Sequence, residues 1–253
     1  MIELYTNANK VSVLVIKFHV SLIRNSKLIC LKKEGDGMSY GVQLECWGKY
    51  ALFSRPELKT ERVSYDVITP SAARGIIESI FWHPGLKVYV DRIHVLNKIR
   101  HNNIRRNEVK EKIPAKKIEQ MIKDGTVPMI STNDDIQQRA ALILRDVHYV
   151  IDFHFEMTDK ASPTDNEGKF KEIFRRRIEK GQFYSQPYFG CREFPVFFRA
   201  WKGGPVPTIQ ETRDLGYMLY DLDFSNPADI QPMFFHAKMI NGVVNIAGEK
   251  VLR

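Results

Sequence analysis

The stretch VHYVIDFHFEM, residues 147–157, alternates throughout. Val147, Tyr149, Ile151, Phe153 and Phe155 point one way; His148, Val150, Asp152, His154 and Glu156 point the other. A period of two over this length makes a β-strand with one face committed to a core. The fold has to cover that aromatic face, and two other segments have the pattern to do so.

The first is TPSAARGIIESIFWHP. Thr69 can cap a helix that Pro70 opens, Ala73, Ile76, Ile77 and Ile80 form its buried stripe, and Pro84 prevents continuation. The second is NEGKFKEIFRRRIEKG, residues 166–181, where Phe170, Ile173, Phe174 and Ile178 fall at i, i+3, i+4 and i+8. Further strands are expected in GVQLECW from Gly41, in LKVYVDRIHVLN at 86–97, and in GCREFPVFFRAW at 190–201, where Pro195 marks a bulge or edge. Residues 98–112, KIRHNNIRRNEVKEK, show no sustained period and read as a charged loop; PAKKIEQMIKDG then reads as a short helix.

The order is strand, helix, strand, long insertion, strand, helix, strand. It predicts an α+β class and a ferredoxin-like (RRM-like, βαββαβ) domain: an antiparallel sheet with helices on one face and the other face open. RNA-recognition modules meet nucleic acid on that open face. KGGPVP at 202–207 reads as a linker. Beyond it GYMLYDLDF and MFFHAKMINGVVNIAG predict a small all-β C-terminal extension, with Asn241-Gly242 as a hairpin turn. With 253 residues, 43% of them hydrophobic, one good core plus a smaller unit is affordable. The expected units are 1–37, 38–201 and 202–253.

Residues 1–37 stand apart. VSVLVIKFHVSLI at 11–23 is interrupted by Lys17 and His19, is too short to span a bilayer and lacks a following cleavage site. KEGDGM at 33–38 back-translates to a purine-rich GGAG just upstream of a Met codon. The expectation is that Met38 is the start and residues 1–37 a translated leader, or a disordered N-terminal extension.

The formal net charge is +8, so a polyanion is the natural partner. Cys30, Cys46 and Cys191 include no C-x-x-C pair, which argues against a disulfide framework or thiolate zinc and fits a reducing cytoplasm. No nucleotide-binding glycine signature is present. His148, Asp152 and His154 share a strand face, but alternate residues sit ~7 Å apart, which suits a row of contacts rather than a coordination sphere. No metal, cofactor or membrane is expected. The basic helix and the charged loop would place Lys169, Arg105, Arg106, Arg175, Arg176 and Arg177 against phosphates, with Arg192 beside them. Tyr184, Tyr188 and Phe189 could stack on unpaired bases, although Phe189 fits a core better.

Four runs go beyond pattern: WGKYALFSRPELKTERVSYDVITPSAARGIIESIFWHP, IRRNEV, QQRAALILRDVHYVIDFHFEMT and PYFGCREFP. Across about residues 40–200 they resemble the subtype I-C (d-type) member of the fifth CRISPR-associated protein family, a Cascade subunit. The resemblance implies a ferredoxin-like domain with a β-rich extension. It also implies binding of the guide RNA's 5′ handle and metal-independent cutting of the precursor's repeat hairpin, in which a ribose 2′-hydroxyl attacks the adjacent phosphate. The implied partners are CRISPR RNA and the backbone and large subunits of type I-C Cascade; the charge would also permit duplex DNA.

The family pattern for catalysis is a Tyr in I-Y-W and a Lys-His pair in E-G-K-H. Here the stretches read IFW and EGKF, so Lys169 is kept while the Tyr and His positions are Phe81 and Phe170. Phenylalanine carries no exchangeable proton. Three arrangements follow. Another group acts as acid or base (His83, Tyr184 or His101). Or cutting proceeds by positioning and electrostatics alone. Or the chain is a non-catalytic handle-binding cap and scaffold.

Overall fold

The computed structural model describes residues 41–253 apart from 59, 111–113, 128–130 and 132. The leader and start-site expectations for residues 1–37 and Met38 lie outside the described residues.

The first strand and the first helix follow from local sequence. Strand β1 runs Val42–Ala51 and a short β2 is Arg62–Val63. Helix α1 is Pro70–Ile80, capped by Thr69, whose Oγ1 accepts from the Ala72 N–H at 3.2 Å. It buries Ala73, Ile76, Ile77 and Ile80 as its periodicity requires. Phe81 is already extended (φ −152°), so the helix stops there, and β3, Leu86–Val95, follows.

Residues 98–112 depart from expectation. They contain strand β4, His101–Val109, which pairs antiparallel with the first part of β5, Ile136–Met157. The arm escapes a hydrophobicity reading because its exposed and half-exposed positions alternate with little apolar contrast; only Ile104 and Val109 are apolar within β4. Its backbone ladder, not a buried face, holds it together. Helix α2, Ala115–Lys123, lies between the two strands of the arm.

At Asp146 (φ 53°) strand β5 passes through a left-handed residue, and its pairing with β1 skips a position there. The remainder, the alternating stretch, lies centrally: β1 pairs one edge and β3 the other, both antiparallel. Phe153 and Phe155 meet α3, Glu167–Lys180, through Phe174 and Phe170. Phe170, Phe174 and Ile178 are the buried stripe of α3. Phe81, just past α1, touches both Phe170 and Phe174, so the two helices share this face.

The strand expected at 190–201 is shorter: β6 is Phe197–Ala200, pairing with β1. Before it the chain turns back, with the Phe189 N–H donating to Phe194 O and the Phe194 N–H to Cys191 O. Gly190 is left-handed (φ 77°), and a Cβ there would collide with the Leu52 carbonyl. Glycine is thus required, and the turn displaces the strand's first half.

After β6 come β7 (Arg213–Asp223), β8 (Gln231–Ile240), β9 (Val243–Asn245) and β10 (Val251–Leu252). Asn241 and Gly242 both have positive φ, the backbone of a tight hairpin turn. These strands are joined to the same sheet: β9 pairs β3, giving the path β10-β8-β9-β3-β5-β1-β6, with β2 and β4 on β5 and β7 on β8. All pairings are antiparallel except β2 with β5. The protein is a mixed α/β fold built on one mostly antiparallel sheet. No helix among the described residues is long and apolar enough to cross a membrane.

Candidate active site

Lys169 stands in the first turn of α3. Asn166 caps that helix, its side-chain oxygen accepting from the Lys169 N–H at 2.8 Å. The Lys169 Nζ donates to Asp165 Oδ1 at 2.7 Å. Asp165 Oδ2 accepts from the Ser162 N–H at 2.9 Å and lies 3.9 Å from His83 Nε2. The carboxylate side chain is almost fully covered, 3% exposed. Lys169 above all, then the Ser162 N–H, hold its carboxyl below the usual carboxylate range.

His83 reaches this group from the turn between α1 and β3. The Gly85 N–H donates to its Nδ1 at 3.0 Å. Nδ1 is therefore an acceptor, and in the neutral ring the proton resides on Nε2, the nitrogen facing Asp165. The imidazole also packs on Phe170, ring centroids 5.1 Å apart. One line of contacts thus runs from Lys169 through Asp165 to His83, with Phe170 against the imidazole and Phe81 behind it at 5.8 Å.

Phe170 (1% exposed) and Phe81 (8%) are core residues, anchored by Phe155 and Phe174. Trp82, between Phe81 and His83 in sequence, is 59% exposed. Tyr184 is also exposed, and its backbone N–H donates to Ser79 O at 2.9 Å, tying it to the end of α1. His101 belongs elsewhere: it lies on β4, with Nε2 3.3 Å from Asp66 Oδ1.

The basic residues divide. Arg175 is held by Glu172 and Glu179, which push its already high pKa further up. Arg177 donates to Ile80 O at 2.5 Å and covers the Phe81 ring at 5.1 Å, so it braces α3 against the end of α1. Arg176 is exposed and makes no side-chain hydrogen bond among the described residues. On the β4 arm Arg105 is exposed, while Arg106 pairs with Glu193. That contact brings the arm to the 190–195 turn, where Arg192 lies 5.7 Å above the Tyr188 ring. No hydrogen bond or ion pair among the described residues joins these two groups. His148, Asp152 and His154 are individually partnered, by Glu45, by His94 with Arg92, and by Asp91.

Sequence reasoning left Asp165, Asn166 and Trp82 unmarked. The cap and the i, i+4 pair are readable in DNEGK, residues 165–169; the link to His83 joins segments far apart in the chain and is not.

The chain as a whole is similar to known proteins. The family description "CRISPR-associated protein (Cas_Cas5)", Cas_Cas5d, matches residues 41–246. A curated relative from Mannheimia succiniciproducens, "CRISPR pre-crRNA endoribonuclease Cas5d", is 46% identical over 217 residues, covering 83% of this chain and 96% of its own. A protein of the same name from Thermus thermophilus is 39% identical over 226 residues, covering 83% and 92%. The fold is similar to that in a solved structure titled "Crystal Structure of CRISPR-associated Protein", with TM-score 0.60 and 22% identity, over 86% of this chain and all of the other. The chain belongs to the Cas5d family of CRISPR-associated proteins.

Proposed function

We propose that the chain is a precursor CRISPR RNA endoribonuclease that cleaves within the repeat and keeps the 5′ handle as a Cascade subunit. The names of its relatives support the activity. The observation that carries the mechanism is the line Lys169–Asp165–His83 laid against Phe170. In this reading His83 replaces the proton-bearing groups that Phe81 and Phe170 lack.

Cleavage without metal needs a proton taken from the ribose 2′-hydroxyl, a proton delivered to the departing 5′-oxygen, and stabilisation of the phosphorane. His83 can perform either transfer at Nε2, because Nδ1 is engaged by Gly85. Lys169 supplies positive charge at the start of α3, where helix N–H groups also favour phosphate. Asp165 orients both. Trp82 and Tyr184 offer stacking surfaces beside the cut, and Arg176, Arg105 and Arg192 supply phosphate contacts. The products are a 2′,3′-cyclic phosphate and a 5′-hydroxyl.

The framework belongs to the same proposal. The path β3-β5-β1-β6, with α1 and α3 as crossovers, supports a ferredoxin-like unit ending near residue 201. A β-rich unit follows from 202. The partners are the repeat hairpin of CRISPR RNA and the other type I-C Cascade subunits.

The test is cleavage of labelled repeat RNA in EDTA. Wild-type protein should give a cyclic-phosphate product, and Lys169→Ala should slow cutting by roughly 100-fold or more while leaving RNA affinity within a few fold. Absence of that product from wild-type protein would remove the enzymatic reading.

A further inference from the structure

The sheet face away from the helices carries a cluster that the cleavage site does not use. Trp47 on β1 and Phe197 on β6 are register partners and stack, with centroids 6.2 Å apart and planes 24° from parallel. Phe197 is 58% exposed. Arg199 lies over Trp47 at 5.2 Å, and Lys49, two residues on from Trp47 along the same face, is exposed. Arg199 also donates to the buried Glu45 at 2.6 and 2.7 Å, fixing the guanidinium where it stands.

A solvent-facing aromatic ring costs free energy unless something covers it, and two stacked rings with a fixed guanidinium above one of them are preorganised. Nucleobases present flat apolar faces and their backbone presents anions. Aromatic rings flanked by cations are what single-stranded nucleic acid stacks upon. A duplex would not serve, because its bases are already stacked on one another. We infer that Trp47, Phe197 and Arg199 form a second RNA contact that receives an unpaired base of a single-stranded segment. The exposed Lys49 attracts the neighbouring phosphate, while Arg199, its charge paired with Glu45, extends the flat surface over Trp47. This rests on the reading of the chain as an RNA-binding protein, and it adds a surface distinct from the Lys169–Asp165–His83 line. The strand β6 ends the sheet path, so a protein strand adding to its edge is the rival occupant.

The full chain should be titrated with an octaadenylate RNA carrying 2-aminopurine at an internal position. Binding should quench the fluorophore by stacking. Phe197→Ala should weaken affinity about tenfold, the value of one lost base stack. Phe197→Tyr, which keeps the ring, should bind as wild type does. Cleavage of repeat hairpin RNA at saturating protein should be unchanged in both variants. Equal affinity of Phe197→Ala and wild type for octaadenylate overturns the inference. So does a Phe197→Ala defect that appears only in association with protein subunits. Phe197-dependent quenching in a protein that leaves the hairpin uncut would uphold this surface while removing the enzymatic reading.

Discussion

His83 and Phe170 lie ring against ring, centroids 5.1 Å apart with planes inclined by 44°. The imidazole therefore occupies space next to the position where the family pattern carries its histidine. Under the proposed mechanism, the proton donor or acceptor sits in the turn before β3 rather than on the helix, and Phe170 belongs to the core.

Replacing His83 tests this directly. His83→Ala should lower the single-turnover cleavage rate by roughly 10²- to 10⁴-fold, the span of a lost general acid or base. Phe170→His added to that variant should recover part of the rate, because the new ring faces the gap left by His83. Phe170→His alone should cost about 1–3 kcal/mol of stability, measured by urea unfolding, since a polar ring replaces one that is 1% exposed. No recovery in the double variant, with a folded protein, would show that the two positions are not interchangeable.

In the proposed mechanism Asp165 acts through its neighbours, Lys169 and His83. Asp165→Asn should leave α3 folded, because Asn166 still caps it, but Lys169 and His83 lose the charge that orients them. The cleavage rate should fall roughly 10- to 100-fold, while RNA affinity holds or improves as a negative charge is removed. A parallel fall in affinity would place Asp165 in RNA binding instead.

The arginines of α3 should behave differently from one another. Arg177 is spent on Ile80 O and the Phe81 ring, so Arg177→Ala should cost about 1–3 kcal/mol in unfolding and leave the salt dependence of RNA binding unchanged. Arg176→Ala and Arg105→Ala should be nearly silent in unfolding and should each reduce the salt slope by about one.

The sequence made these elements legible to different degrees. Helices α1 and α3 were readable to within a residue or two because caps and stripes coincide: Thr69 with Pro70, and the Phe170–Phe174–Ile178 face ending at Gly181 in a left-handed cap. β4 was not, since a polar arm has no buried face to impose contrast. The site was half legible. Lys169, Phe81 and Phe170 come from the family's catalytic pattern, whereas the contacts of His83 with Asp165 and Gly85, and the separate place of His101 beside Asp66, are tertiary. Sequence groups Arg175 to Arg177 as one basic face, and only the structure separates them: intrahelical partners hold Arg175, a tertiary partner holds Arg177, and Arg176 has no side-chain hydrogen bond among the described residues.

Glu45 offers a pH-dependent test of the open face. Its side chain is nearly fully covered, accepts from Arg199 at 2.6 Å and faces His148 Nε2 at 2.9 Å. The hydrogen bond from Arg199 first, and then His148, depress its pKa below the ordinary 4.5, against the opposing effect of burial. A carboxylate whose folded value is lowered stabilises the fold fully above its unfolded value and ceases to as pH falls through the folded one. The difference in unfolding free energy between wild type and Glu45→Gln should therefore be constant at neutral pH and shrink as pH drops below about 4.5. Because Glu45 also fixes Arg199 over Trp47 in the stacking surface, Glu45→Gln should weaken octaadenylate binding at neutral pH without slowing hairpin cleavage. If the unfolding difference instead persists unchanged into acid, Glu45 is held by packing and hydrogen bonding rather than by charge, and its ionisation is not what fixes the guanidinium above Trp47.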